Sequence, residues 1–352
     1  MKLRTTALLG TTALLAVAGC SVTGGSEDDS ATDDTTVTLL THDSFALPDE
    51  LLAEFEEHSG LTLEVVRSGD AGSLTNQLVL SKDEPVGDAV FGIDNTFASR
   101  AVDAGVLAEH VPDELPGSAA DHALDGDGAD RLTPVDWGDV CVNVDDTWFR
   151  ENDVPAPKTL DDLTEPAYRD LFVTPAPNSS SPGFAFLLAT IGEYGEDGWQ
   201  EYWQRLVDNG VRVVAGWTDA YEVDFTAGGG GGDRPIVLSY NSSPPFTIPE
   251  GGKRPTTSAL LDTCFRQVEY AGVLEGADNP EGAQEVVDFL VSPEVQAALP
   301  DSMYVFPVDD SVELPPLWAK WAEPAPAPVE VDPEAISEHR EEWLREWSDV
   351  TS

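Results

Sequence analysis

Lysine and arginine are scarce in this 352-residue chain: 18 of them stand against 66 aspartates and glutamates, a formal charge of −48. A surface of that sign repels phosphate backbones, which excludes nucleic acid as a partner. The charge is spread along the chain and not gathered in a tail, which suits solvation in a salty medium where self-repulsion is screened. Cysteine is nearly absent too, with only Cys20, Cys141 and Cys264, and neither CxxC nor HxxxH occurs. His42, His58, His110, His122 and His339 are scattered, so no zinc signature emerges and no metal is expected. Nucleophile-elbow and phosphate-loop motifs are missing as well. No GxSxG is present, and the pentaglycine Gly228–Gly232 is followed by Asp233-Arg234, not by Lys-Ser or Lys-Thr.

What is present begins with a leader. Lys2 and Arg4 precede the apolar run Ala7–Ala18, too short to span a membrane, so residues 1–19 read as a signal peptide. Val17-Ala18-Gly19-Cys20 resembles a bacterial lipobox, which implies cleavage before Cys20 and lipidation of its thiol. Residues 20–36 are polar and acidic and are expected to be a disordered tether. The expected location is the extracytoplasmic face of a cell membrane, with a lipid anchor. In such a compartment the remaining even pair, Cys141 and Cys264, more often forms a disulfide than a metal site.

Strand-like and helix-like segments then alternate, which predicts an α/β protein. Val37–His42, Leu61–Val66 and Asp88–Ile93 read as strands, separated by helices that begin after Pro48 and near Ser73. Val135–Val144 is a longer strand, and Val211–Val214, Ile236–Leu238 and Phe265–Tyr270 complete the set. A helix is expected from Phe184 to Ile191 after the polar loop Pro177–Gly183. The next helix carries Trp199, Tyr202, Trp203 and Leu206 at helical spacing, which reads as core. Gly228–Gly232 has no side chains to pack and predicts a mobile loop. Ser292-Pro293 and Asp332-Pro333 are helix starts.

Several of the loops that follow strands carry small polar groups or aromatics. They include Thr41–Phe45, Gly69–Ser73, Gly92–Asn95, Ser180–Gly183, Gly216–Tyr221 and Tyr240–Ser243. In α/β sheets, ligands sit where such loops converge, so a binder is favoured. Trp217, Tyr240 and Phe246 offer ring faces to a cationic ring. A serine hydrolase is the rival reading, but no histidine lies near Ser242 or Ser243 in sequence.

In order along the chain, THDSF (Thr41–Phe45), SGDAGSLTNQL (Ser68–Leu78), FGIDN (Phe91–Asn95), PVDWGDVCVN (Pro134–Asn143), SSPG (Ser180–Gly183), GWTDAY (Gly216–Tyr221), VLSYNSSPPF, FLVSPEVQAALP and EEWLREW carry a resemblance. The chain resembles the thiamine-binding components of ABC importers, within the two-lobed periplasmic-type solute-binding proteins. The resemblance implies a type II two-lobed fold, each lobe a mixed sheet flanked by helices, with a ligand cleft between. Lobe 1 would comprise residues 37–141 plus 265–352, and lobe 2 residues 142–264. The implied ligand is thiamine or a thiamine phosphate, the implied partner an ABC permease, and neither catalysis nor a cofactor is implied. Implied ligand contacts are Asp70, Ala71, Ser180, Ser181, Trp217, Tyr240, Asn241, Ser242 and Ser243. Three further positions depart from the family: His42 and Phe246 stand where tyrosines are common, and Tyr304 where a tryptophan is. Both Cys141 and Cys264 would fall on the two crossing strands, so a disulfide between them is expected to clamp the hinge. Ferric-ion and polyamine binders share the architecture and are the alternatives. Iron favours adjacent tyrosinates, whereas Tyr240 is followed by Asn241.

Overall fold

The computed structural model describes residues 35–352. The leader, Cys20 and most of the tether lie outside the described residues. Short runs rich in apolar residues build three parallel strands at the N-terminal side. There β1 (Thr36–Thr41) lies between β2 (Thr62–Arg67) and β3 (Ala89–Asp94). Helices α1 (Asp49–Ser59), α2 (Ala71–Leu80) and α3 (Ala98–Ala104) connect or follow them. Asp49 and Glu50 sit in the first turn of α1, where acidic groups offset the positive end of its dipole.

The long strand β4 (Thr133–Asp145) then runs through the middle of the molecule, followed by α4 (Asp146–Glu151). A second wing contains β5 (Phe172–Pro175), α5 (Ser181–Tyr194), α6 (Trp199–Asp208), β6 (Arg212–Val214), β7 (Ile236–Tyr240) and β8 (Thr257–Ala259). The chain returns along β9 (Phe265–Val273) and closes with α7 (Pro280–Leu290), α8 (Pro293–Ser302), β10 (Phe306–Pro307), α9 (Pro316–Trp321) and α10 (Pro333–Thr351). The sheet is mixed and follows the order β2-β1-β3-β9-β4-β7-β5-β6, with β8 and β10 added on β4. One half of β4 pairs with β9 from Thr133 to Val140, and the other pairs with β7 from Val140 to Val144. Thus β4 is the strand shared by the two wings.

A disulfide joins Cys141 in β4 to Cys264 immediately before β9, with a Cα–Cα distance of 4.3 Å. It ties the central strands where they pass from one wing to the other. Arg340 of α10 lies over the rings of Phe97 and Phe184, at 4.1 and 5.0 Å, and so bridges α3's leading residue and α5. Trp199, Tyr202 and Trp203 are fully buried, as their helical spacing predicts. Truncating either tryptophan to alanine costs roughly 3–5 kcal/mol by the usual range for core aromatics.

Two local expectations need correction. Helix α5 starts at Ser181, three residues before the expected Phe184, so the polar loop supplies its first turn. Ser180 caps it through Oγ, which accepts from the Gly183 amide at 3.3 Å, and Pro182 has the fixed φ that suits a first turn. The pentaglycine is not a free loop either. A Cβ on Gly228, Gly230 or Gly232 would clash with the carbonyl oxygens of Tyr221, Glu222 and Asp224. The run lies backbone-to-backbone against a short π-helix, Asp219–Asp224, and only glycine permits that approach.

Candidate functional site

A cavity of about 200 Å³ opens between the strand-end loops of the two wings, room for a small organic solute but not a polymer strand. His42, Asp70, Ala71 and Ser181 line one part of it; Trp217, Tyr240 and Ser243 line another, and Phe246 and Tyr304 close its rim. These residues are far apart in sequence, and the converging loops bring them together.

Asp70 is the N-cap of α2 and is the joint between the wings. Its Oδ1 accepts from the amides of Ala71 at 2.7 Å and Ser181 at 3.2 Å, and Oδ2 accepts from the Trp217 amide at 2.8 Å. Burial pushes this carboxyl up against the pull of those bonds. The Ser73 amide adds a bond to the Ser179 carbonyl, at 2.9 Å. Thus the positive end of α5 is already occupied by a carboxylate from the other wing.

The indole of Trp217 is held firmly. Its Nε1 donates to Ser239 Oγ at 2.9 Å, and Tyr221 stacks on it with centroids 4.9 Å apart and planes 11° from parallel. Tyr240 donates its hydroxyl to Gln267 Oε1 at 3.0 Å, and Gln267 in turn donates to Ser181 Oγ at 2.9 Å. Burial pushes the Tyr240 phenol well up, so it stays a neutral donor. At the rim Phe246 is half exposed and meets Tyr304 edge-on at 5.1 Å. Tyr304 holds a left-handed backbone, φ 58°, which costs a non-glycine residue about 1–2 kcal/mol. Strain of this kind often collects at functional sites.

His42 is buried beside Phe91, with Nε2 3.5 Å from Glu269 Oε1. Burial, and then the positive charge of Arg67, lower it to about 4, so the ring is neutral near pH 7 and does not repel a cation. Gly92, at φ 102°, leaves the space this ring needs, because a Cβ there would run into His42 Cδ2.

Three expected contacts do not line the cavity. Ser180 is buried as the α5 cap. Asn241 turns away, its Oδ1 accepting from the Asp139 amide at 2.9 Å and its Nδ2 donating to the Glu323 carbonyl at 3.0 Å. Ser242 is buried, and its Oγ lacks a hydrogen-bond partner. Ser243 does reach the cavity, but its Oγ pairs with Ser239 Oγ at 2.7 Å and accepts from the Tyr240 amide, so no base activates it. The structure also brings in Glu222 and Glu269, which sequence reasoning passed over, and Tyr221, which it named only as the end of a candidate loop. Glu269 could have been noticed as the lone carboxylate in the otherwise uncharged run Gln267–Val273. Among the described residues, no group of three His, Cys, Asp or Glu side chains is placed to hold a metal ion.

The family model described as "Bacterial extracellular solute-binding protein" matches residues 50–327. The chain belongs to that family. As a bacterial extracellular solute-binding protein it is 30% identical over 323 residues to the thiamine-binding periplasmic protein of Escherichia coli strain K12, covering 90% of this chain and 93% of that one. A solved periplasmic thiamin binding protein superposes with a TM-score of 0.77 at 28% identity, covering 90% of this chain and 96% of the other. Iron-bound HitA from Pseudomonas aeruginosa has a TM-score of 0.69 at 21% identity, with 90% and 99% covered, and shares the fold. The solute-binding protein therefore has the type II periplasmic-binding fold anticipated from its motifs, and its setting is extracytoplasmic.

Proposed function

We propose that this solute-binding protein captures thiamine and delivers it to an ABC permease, without catalysing a reaction. The observation that carries this reading is a cavity walled by Trp217, Tyr221, Tyr240, Phe246 and Tyr304, with the Glu269 carboxyl among them and no arginine or lysine in its lining. Ring faces and carboxyl groups suit a positively charged aromatic ligand, and two relatives bear thiamine-binding names. His42, Asp70, Ala71, Ser181 and Ser243 complete the contact set. The phosphate esters of thiamine are the weaker ligands, because Asp70 holds the amides that a phosphate would seek.

In this reading residues 37–141 with 265–352 form lobe 1, residues 142–264 form lobe 2, and β4 and β9 are the crossing strands between them. Ligand binding favours the arrangement in which the lobes close, which the permease recognises. Residues 1–19 direct export, and a lipid on Cys20 anchors the protein through the acidic tether.

Isothermal titration calorimetry with thiamine, thiamine monophosphate, ferric citrate and spermidine tests the assignment. Thiamine should give a saturable heat at one site, and iron and spermidine should give none. A folded protein that shows no heat with thiamine, or binds iron or spermidine more tightly, refutes it.

A further inference from the structure

The least expected groups in the cleft are two carboxyls at its base. Asp136 of β4 and Glu269 of β9 are directly opposite each other in the antiparallel ladder, so both side chains leave the same face of the sheet. Asp136 is 0% exposed and Glu269 8% exposed. Glu269 lines the cavity. The Asp136 carboxyl has no hydrogen-bond partner other than the Glu269 carboxyl, and the Nε2 of His42, 3.5 Å from Glu269, has none. Among the described residues neither carboxyl is ion-paired with an arginine or lysine.

Two adjacent carboxylates cannot both be ionised in a desolvated site that offers no cation. The other groups facing them make this worse or do not help. Asp70, before α2, and Asp94, at the end of β3, add the same sign. Tyr240 of β7 is a neutral phenol, and His42 after β1 is neutral, with Arg67 of β2 acting on it. Burial pushes the Asp136 carboxyl up, against the pull of its hydrogen bond with Glu269, and burial and then the neighbouring Asp136 push Glu269 up further.

We infer that Asp136 and Glu269 share a proton in the empty cleft and release it to solvent when a cationic ring binds, so that capture exchanges one positive charge for another. The inference rests on the thiamine reading and specifies which residues supply the counter-charge. The exchange is electroneutral: the proton leaves to buffer, the pair becomes more anionic, and the ligand's charge balances it. The site thus avoids holding an unpaired buried charge in either state. Proton release on binding makes affinity rise with pH, on the order of tenfold per unit where release is complete. It flattens above the pH at which the empty pair has already ionised. The two carboxyls titrate as one coupled unit.

Calorimetry with thiamine at pH 7 in phosphate and in Tris, buffers of very different ionisation enthalpy, reads the proton directly. The expected result is a buffer-dependent heat corresponding to roughly one proton released, and an affinity that rises with pH through about 7, the value to which burial raises the Asp136 carboxyl. Asp136→Asn removes the carboxyl that shares the proton, so binding should release less proton and its pH slope should flatten. Glu269→Gln should lose the slope and also weaken binding, and Asp94→Asn should retain most of the release. Thiamine binding with equal heats in both buffers overturns the inference while leaving the ligand assignment intact. Retention of full proton release in Asp136→Asn also overturns it. Absence of thiamine binding at every pH rejects the ligand assignment, and this inference with it. The wild-type buffer comparison decides even where a variant fails to fold.

Discussion

Trp217 enters the cavity with its indole nitrogen bonded to Ser239 and one face backed by Tyr221. Its orientation is set before ligand arrives, so little side-chain freedom is lost on binding. A cation over such a ring gains about 0.5–2 kcal/mol depending on desolvation. Trp217→Ala should therefore raise the dissociation constant for thiamine about 3- to 30-fold, and Trp217→Phe should retain part of the affinity. Unchanged affinity in the alanine variant, measured by calorimetry, would remove Trp217 from the site. The residue scale also shows what sequence can and cannot yield. Trp217, Tyr240 and Asp70 sit in recognisable motifs at strand ends, so their convergence was legible. Asn241 lies in an equally recognisable motif, yet its amide is used inside the scaffold, bridging Asp139 and Glu323. A lone carboxylate in an uncharged run marks Glu269 locally, but the register that sets Asp136 opposite it is not encoded in any local pattern.

At the scale of elements, the N-terminus of α5 and the N-cap of α2 meet at one carboxylate. The expected helix began at Phe184 because Ser-Ser-Pro-Gly reads as loop, whereas Ser180 and Pro182 are the cap and first turn of the real helix. The longer strands were legible from their apolar patterns, and α8 and α10 from Ser-Pro and Asp-Pro caps, whereas the short β8 and β10 and the short helices α4 and α9 were not. Pairing across the wings was not, because the bonds from Ser181 and Trp217 to Asp70 span 111 and 147 residues. That arrangement has a consequence for selectivity. The amides of Ala71, Ser181 and Trp217 would suit a phosphate, but Asp70 both occupies them and repels a second anion. Asp70→Ala frees them. A charged hydrogen bond is worth about 1.5–3 kcal/mol, so the ratio of thiamine monophosphate to thiamine affinity should rise about 10- to 100-fold in the variant. Taking the ratio cancels any loss from weaker closure that affects both ligands alike. An unchanged ratio in competition calorimetry would show that the phosphate arm never approaches α5.

For the whole molecule the dominant fact is the charge of −48, which drives self-repulsion in the compact state and attraction for a cationic ligand. Salt acts on both, in opposite directions. Screening shortens from about 10 Å at 0.1 M to about 3 Å at 1 M, so repulsion among surface carboxylates fades and the fold gains stability. The same screening weakens the long-range pull on thiamine, so association slows while contacts inside the desolvated cleft change less. Raising sodium chloride from 0.1 to 2 M should therefore increase the thermal midpoint of the ligand-free protein. Over the same range it should lower the association rate, read by stopped-flow tryptophan fluorescence, more than it raises the dissociation rate. Equimolar potassium chloride should act alike, since screening depends on ionic strength and not on the identity of the cation. A midpoint that is flat or falls with salt would mean that the acidic surface does not limit stability. An association rate indifferent to salt would mean that the protein's field plays no part in capture, leaving the cleft alone to select its ligand.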